Sequence, residues 1–339
     1  MAGPPPSSMA DVAARAGVSI STVSRALRGS PLVSADTTQR VVQAAEDLHF
    51  AVSRAASSLA SGKLDRVAVL LSGSLGSWFN GCLLDAIYAV LHERRQELLI
   101  YRTLSREQRD EFFATLPARR NADALIVGSL ELTANQRQRL QDLRMPLVFV
   151  NQRRAGSASI SVDDAAGAEV AAQHLANLGH RRIAYVGYTH DPAARPSSAN
   201  RLAGYRRVMA AAKVPARDQR VITTGREADG TDAVRQLLGD ARPPTALLVE
   251  SDDLAMRVLA ALWRVGLQTP QDISVVGFDN HAMAETFGLT TMAQPVAELG
   301  HRAADLALAL AAGESPRRRV VTVPASLVLR ASTGRPPQL

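Results

Sequence analysis

Cysteine is almost absent from this 339-residue chain: Cys82 is the only one. An intramolecular disulfide and any cysteine-rich metal site are therefore excluded. Lysine is nearly as scarce, since of 39 basic residues only Lys63 and Lys213 are not arginine. Arginine suits phosphate and base recognition, although a GC-rich coding sequence produces the same bias. No apolar run approaches the roughly 18 residues that a membrane helix needs. The start, Met-Ala-Gly-Pro-Pro-Pro-Ser-Ser, has neither the basic region nor the apolar stretch of a signal peptide. A cytoplasmic protein with no membrane partner is expected. Catalytic signatures are missing too: there is no Gly-x-Ser-x-Gly elbow, Walker loop or His-Glu-x-x-His. The seven histidines are scattered, and His180 and His190 read as surface or capping residues. No catalytic residue, metal or cofactor is expected.

What is present is an ordinary globular composition, 46% hydrophobic and 21% charged, which excludes a wholly disordered or collagen-like chain. The net charge of +7 is spread along the sequence, so charge alone does not locate a nucleic-acid domain. Two regimes are visible. Residues 9–49 hold short helical patterns. From Arg66 onward, apolar bursts alternate with amphipathic stretches: Val67–Leu71, Leu98–Tyr101, Ala124–Val127, Leu147–Val150, Ile183–Val186, Val221–Thr223, Ala246–Val249 and Ile273–Phe278. Continuous apolar strands separated by helices predict parallel sheets covered on both faces. So many strands exceed one mononucleotide-type unit and predict two doubly wound α/β subdomains. The Ser/Ala-rich segment 53–64 reads as a linker, and the proline-rich residues 1–8 as a disordered tail.

The first regime carries its own punctuation. Ser8 followed by Asp11 fits a capping box, Val12, Ala13 and Ala16 give one apolar face, and Gly17 suits a left-handed helix end. Ser19 is the next N-cap, with Val23, Ala26 and Leu27 facing inward from a second helix. Ser34 caps a third, whose inner face is Val41, Val42, Ala45 and Leu48. Two short helices joined by a Gly-containing turn make a helix-turn-helix, while a three-helix dimerisation cap fits the pattern as well. The outer face of the second helix favours the former. It presents Ile20, Ser21, Thr22, Ser24 and Arg25, with no carboxylate. Hydroxyls suit phosphate oxygens, arginine pairs bidentately with guanine, and an apolar tip meets a thymine methyl.

The run Asp-Val-Ala-Ala-Arg-Ala-Gly-Val-Ser-Ile-Ser-Thr-Val-Ser-Arg-Ala-Leu-Arg-Gly, residues 11–29, resembles the headpiece of the LacI/GalR family of bacterial transcription regulators. The resemblance continues through Val33-Ser34 to Ser58-Leu59-Ala60. It resumes at Leu178-Gly179-His180-Arg181-Arg182-Ile183-Ala184, Arg201-Leu202-Ala203-Gly204-Tyr205 and Val275-Val276-Gly277-Phe278-Asp279. It implies a helix-turn-helix domain over residues 9–52 that binds a pseudo-palindromic DNA operator as a homodimer. Ser19, Ile20, Ser21, Thr22, Ser24, Arg25 and Ser34 would lie at the DNA. It also implies that segment 53–64 folds into a hinge helix on the operator, with Leu59, and Ala56 one turn earlier, entering the central minor groove. The sequence departs from the family pattern at Val52 and Ser57, where a proline and a basic residue are common. The chain ends soon after Leu327-Val328-Leu329-Arg330, so a dimer without a tetramerising helix is expected.

For residues 65–335 the resemblance implies a periplasmic-binding-protein-like core. Its N-subdomain would span about 65–162 and 294–321, and its C-subdomain about 163–293 and 322–335. In such α/β sheets ligands lie at the carboxyl ends of the strands. Those ends hold Ser72 to Phe79, Ser129, Asn151, Ser251-Asp252-Asp253 and Asp279-Asn280. Trp78 or Phe79 suits the apolar face of a sugar. By the family match Arg201 is the ligand clamp, and Asp252 and Asp279 meet ligand hydroxyls; a guanidinium without partners is a poor candidate for a buried structural role. A strand-end aspartate also caps helices, a role expected of Asp253. Residues 225–229 lack the aromatic often found there, which places stacking on Trp78. The expected function is a repressor released by a small sugar or sugar derivative. The alternatives are a corepressor-dependent or activating regulator, or a sugar-binding protein or enzyme with no role at DNA.

Overall fold

The computed structural model describes residues 7–27, 30, 32–48, 50, 63–128, 130–152, 157–189, 196–215, 219–225 and 228–337. They form two units, divided between Leu64 and Asp65.

The first unit holds helices α1 (Met9–Ala16), α2 (Ile20–Leu27) and α3 (Ala35–Asp47). Each begins where a hydroxyl satisfies a free helix N–H. The Ser8 side chain accepts from Asp11 N in a full capping box, and Gly17 closes α1 at φ 67°. Ser19 Oγ accepts from Thr22 N at 3.1 Å, and Ser34 Oγ accepts from Thr37 N at 3.3 Å. Val12, Ala13, Ala16, Val23, Ala26, Val41, Ala44 and Ala45 pack as the core of this unit. Two expectations need correction. Val42 is exposed and Ala44 takes its place, because at 3.6 residues per turn positions 41, 44 and 45 share one stripe. Ser7 and Ser8 belong to the folded unit rather than to a tail: Ser7 Oγ donates to Leu48 O at 2.8 Å. Because the Ser34 cap holds the first turn of α3, Ser34→Ala is expected to cost about 1 kcal/mol. Hydrogen exchange on the intact chain should then show α3 amides opening about fivefold more often.

The second unit contains two six-stranded sheets. The first runs in the order β11 (Val320–Val323), β5 (Ala158–Val162), β4 (Leu147–Val150), β3 (Ala124–Gly128), β1 (Arg66–Ser72), β2 (Glu97–Thr103), all parallel. The second runs β12 (Ser326–Val328), β10 (Thr290–Ala293), β9 (Ser274–Asp279), β8 (Ala246–Val249), β6 (Ile183–Tyr188), β7 (Arg220–Thr224), with only β12 antiparallel to its neighbour. Helices cover both faces, so a strand such as β1 is buried over Val67–Leu71 without interruption. The helices that bear on the cleft are α4 (Trp78–Glu93), α7 (Asp164–Asn177), α8 (Pro196–Ala211), α10 (Asp252–Arg264) and α11 (Val296–Ala311). The others are α5 (Arg106–Thr115), α6 (Ala134–Gln141) and α9 (Thr231–Leu238).

The chain passes between the sheets three times: after β5, after β10, and between β11 and β12. The expected boundary at 321 falls inside β11, which stays with the first sheet as far as Val323. In each sheet one strand is flanked by its successor on one side and by later strands on the other: β1 between β2 and β3, β6 between β7 and β8. Such switch points open a crevice at the carboxyl ends of the strands.

Candidate functional site

The outer face of α2 is built by the cap that starts it. Ser19 Oγ lies 2.8 Å from Ser21 Oγ and 2.9 Å from Thr22 Oγ1, so three hydroxyls cluster at the helix N-terminus. Ile20, Ser21 and Arg25 are exposed, Thr22 and Ser24 half-buried, and no acidic residue stands in the first turn. The face therefore offers donors, hydroxyls and one guanidinium to an anionic partner with nothing to repel it. Ser34 is exposed while it caps α3. Ala56 and Leu59 lie outside the described residues, as do Ser129 and His190.

In the core, the switch-point crevice of the second sheet holds a buried charge cluster centred on Arg201. Its Nε donates to Asp164 Oδ1 at 2.8 Å, and its Nη1 donates to the Glu250 carbonyl at 2.6 Å. Nη1 also lies 3.6 Å from Asp279 Oδ1, and the guanidinium carbon sits 3.8 Å above the Phe278 ring. Burial opposes the charge of Arg201, but the surrounding carboxylates, Asp164 first, more than offset it and hold the guanidinium protonated. Asp279 is the counterpart: burial pushes its carboxyl up to about 7 despite Arg201, with Asp252 adding to the rise. Glu250 is buried as well, accepting from Tyr188 N at 3.0 Å and from the Ser198 hydroxyl. Several carboxylates thus share one cation. Beside them the hydroxyl of the buried Tyr185 and Oε1 of Gln294 have no hydrogen-bond partner.

Across the crevice, Trp78 and Phe79 open α4 at the switch point of the first sheet, both half-buried. The Trp78 ring meets the imidazole of His281 with centroids 6.0 Å apart and planes inclined by 42°. A shallow groove of about 710 Å³ lined by Val170, His174, Val208 and Leu327 lies elsewhere, between α7 and α8, and holds none of this machinery.

Residues 8–53 match the family model for bacterial regulatory proteins of the lacI family, and residues 172–333 match the periplasmic binding protein-like domain. The chain is 29% identical over 334 residues to the HTH-type transcriptional repressor PurR of Salmonella paratyphi B, covering 96% of this chain and 97% of that one. The lac repressor dimer bound to operator and the anti-inducer ONPF superposes with a TM-score of 0.85 at 26% identity, over 97% of this chain and 100% of that one. The complex of the transcriptional regulator CelR with cellobiose gives 0.71 at 27%, over 96% and 99%.

The chain joins a DNA-binding domain of the lacI family of bacterial regulatory proteins to a periplasmic-binding-protein-like domain. It is a DNA-binding transcriptional regulator rather than an enzyme. Among its described residues no His, Cys, Asp and Glu group could hold a metal ion, and no helix is long and apolar enough to cross a membrane.

Several sequence-derived roles in this regulator change. Asp252 does not face a ligand: it is fully buried, Oδ1 accepts from Thr291 Oγ1 at 2.6 Å and Oδ2 from His281 N at 2.8 Å. It ties α10 to the turn after β9. The cap of α10 is Ser251 rather than Asp253, whose carboxylate instead meets Tyr188 Oη and Arg257. Asn151 is buried at φ 55°, and its Oδ1 accepts from Val162 N at 3.1 Å, which fastens β4 to β5. Asn280 accepts from Arg330 at 2.8 Å. His180 is buried rather than exposed, bonded to Thr245, Ser274 and the Gly334 carbonyl. Arg201, read from the sequence as a ligand clamp rather than a buried structural residue, has the full set of partners described above. Asp164, Glu250 and His281 were missed. Glu250 had a signal, since it follows Val249 at a strand end, but Asp164 looks like any acidic residue in the first turn of a helix.

Proposed function

We propose that this regulator is a cytoplasmic homodimer that binds a pseudo-palindromic operator and is released from it by a small sugar or sugar derivative. Ile20, Ser21, Thr22, Ser24 and Arg25 face the major groove, with Ser19 and Ser34 at helix ends near phosphates and Ala56 and Leu59 in the minor groove. The effector lies between Trp78 and Phe79 on one wall and Arg201 and Asp279 on the other, with Ser129 and Asn151 at neighbouring strand ends. The observation that carries the reading is the buried Arg201–Asp279 pair at the switch point, opposite an aromatic side chain. A polyol needs closely spaced donors and acceptors together with one apolar surface. The cellobiose bound by CelR and the operator held by the lac repressor dimer support the same assignment.

Electrophoretic mobility shift on genomic fragments, at one fixed salt concentration, with and without a panel of sugars, tests it. A specific fragment should shift, and one sugar should abolish the shift. No specific fragment in the absence of added ligand would overturn the inducible-repressor reading. Light scattering at micromolar concentration should give twice the 36.2 kDa of one chain, and a monomer would contradict the assembly.

A further inference from the structure

His281 sits in the turn after β9 and is held more firmly than an ordinary turn residue. Its backbone N–H donates to the buried carboxylate of Asp252, which Thr291 fixes in turn. Its Nδ1 accepts from Met283 N at 3.0 Å, so the ring is locked in one orientation. The opposing ring, Trp78, belongs to the other half of the core, where it packs against the cluster around Leu83 and Ile87. Centroids 6.0 Å apart lie within the range of directly touching aromatic rings, so nothing is inserted between them. An electrostatic influence runs alongside. Cys82, one turn after Trp78 on the same face of α4, is close enough to Asp279 that this carboxylate joins burial and Asp85 in raising its thiol pKa.

We propose that His281, positioned by Asp252, closes against Trp78 as a latch that joins the two halves of the core over the cleft. A ligand would lie beneath the rings rather than between them. The latch favours the closed arrangement before any ligand arrives, and so sets how much of the effector's binding free energy must go into closure. Asp252 is a positioning residue, acting through His281, which accounts for a buried carboxylate with no cleft-facing role. The bearing on operator release rests on the effector site proposed above, but the latch itself is a property of the core.

The single cysteine makes the test direct, because Cys82 is half-buried beside the latch and no other thiol competes. The rate of Cys82 modification by N-ethylmaleimide, in the intact chain with neither operator nor sugar present, reports opening of the cleft. His281→Ala and Trp78→Ala should each raise that rate about three- to tenfold, the range for losing one aromatic pair. His281→Phe, which keeps a ring, should restore the slow rate, whereas a general loosening of the fold would not be rescued. The double variant should react no faster than either single one. Rates within about 1.5-fold of the unmodified chain in folded single variants, or additive effects in the double variant, would overturn the latch. Because no DNA or sugar enters the measurement, its failure is distinct from failure of the mobility-shift test.

Discussion

Arg201→Ala is expected to destabilise the second half of the core by about 3–5 kcal/mol at neutral pH, the usual cost of removing one partner from a buried ionic cluster. The substitution leaves the buried Asp164 and the largely buried Asp279 carboxylates without their guanidinium, and the Glu250 carbonyl without its donor. It also removes the cation above the Phe278 ring. A variant that keeps its fold and loses only its response to effector, as a clamp without partners would give, is therefore not expected. The pH dependence follows from Asp279. Its carboxyl is raised to about 7 in the fold from 3.8 in the free chain. Between those values the folded protein binds more protons than the unfolded one, so this group's contribution falls as pH rises towards 7. Without Arg201 the deficit should be larger at pH 8 than at pH 6, where protonation relieves the uncompensated charge. Urea unfolding of both proteins at the two pH values measures this. A variant within about 1 kcal/mol of the parent at both pH values would show that the cluster contributes little to the fold.

The origin of this pH dependence is probed at Asp279 itself. Asp279→Asn keeps the shape of the side chain and removes its titration, so stability should become flatter between pH 4 and 7.

Arg25→Ala should cost about 1–3 kcal/mol on the specific operator and much less on random DNA, as loss of a bidentate base contact requires. Arg25 is exposed in the last turn of α2, on a face whose first turn carries no acid. Nothing on that helix competes for the guanidinium. Thr22 is different, since its hydroxyl already lies 2.9 Å from Ser19 Oγ at the helix N-terminus. Thr22→Ala should weaken both DNAs by similar factors, because phosphate contacts carry little sequence information. Fluorescence anisotropy on operator and scrambled duplexes at equal salt separates the two. Equal losses for Arg25→Ala on both duplexes would move that side chain to the phosphate class.

The first unit was legible because its determinants are local. A cap and the amide it serves lie three residues apart, as with Ser8 and Asp11, Ser19 and Thr22, or Ser34 and Thr37. The eight apolar bursts were legible as strands, six of them because burial on both faces demands unbroken apolar runs; β2 and β7, at the sheet edges, are only partly buried. Four strands were not legible. β5 reads Ala-Ser-Ile-Ser-Val and β10 Thr-Thr-Met-Ala, and their hydroxyls are buried all the same because neighbouring strands and helices cover them. β11 and β12 are short and lie at the sheet edges. Periodicity in a short window does not report such cover.

The cleft divides the same way. Strand-end position pointed to Trp78 and Asp279, and family resemblance pointed to Arg201. Whether each faces a ligand or holds the fold depends on partners far away in sequence. Arg201 finds Asp164, Glu250 and Asp279 from three other elements, and Asp252 turns inward to Thr291 and His281. Sequence alone determined the helix ends, the parallel α/β architecture and the exposed, carboxylate-free face of α2, since each depends on spacing along the chain. Only the tertiary structure decided which carboxylates share the one guanidinium and which ring meets Trp78. Those choices are made by distances of a few ångströms between residues that the chain itself keeps apart.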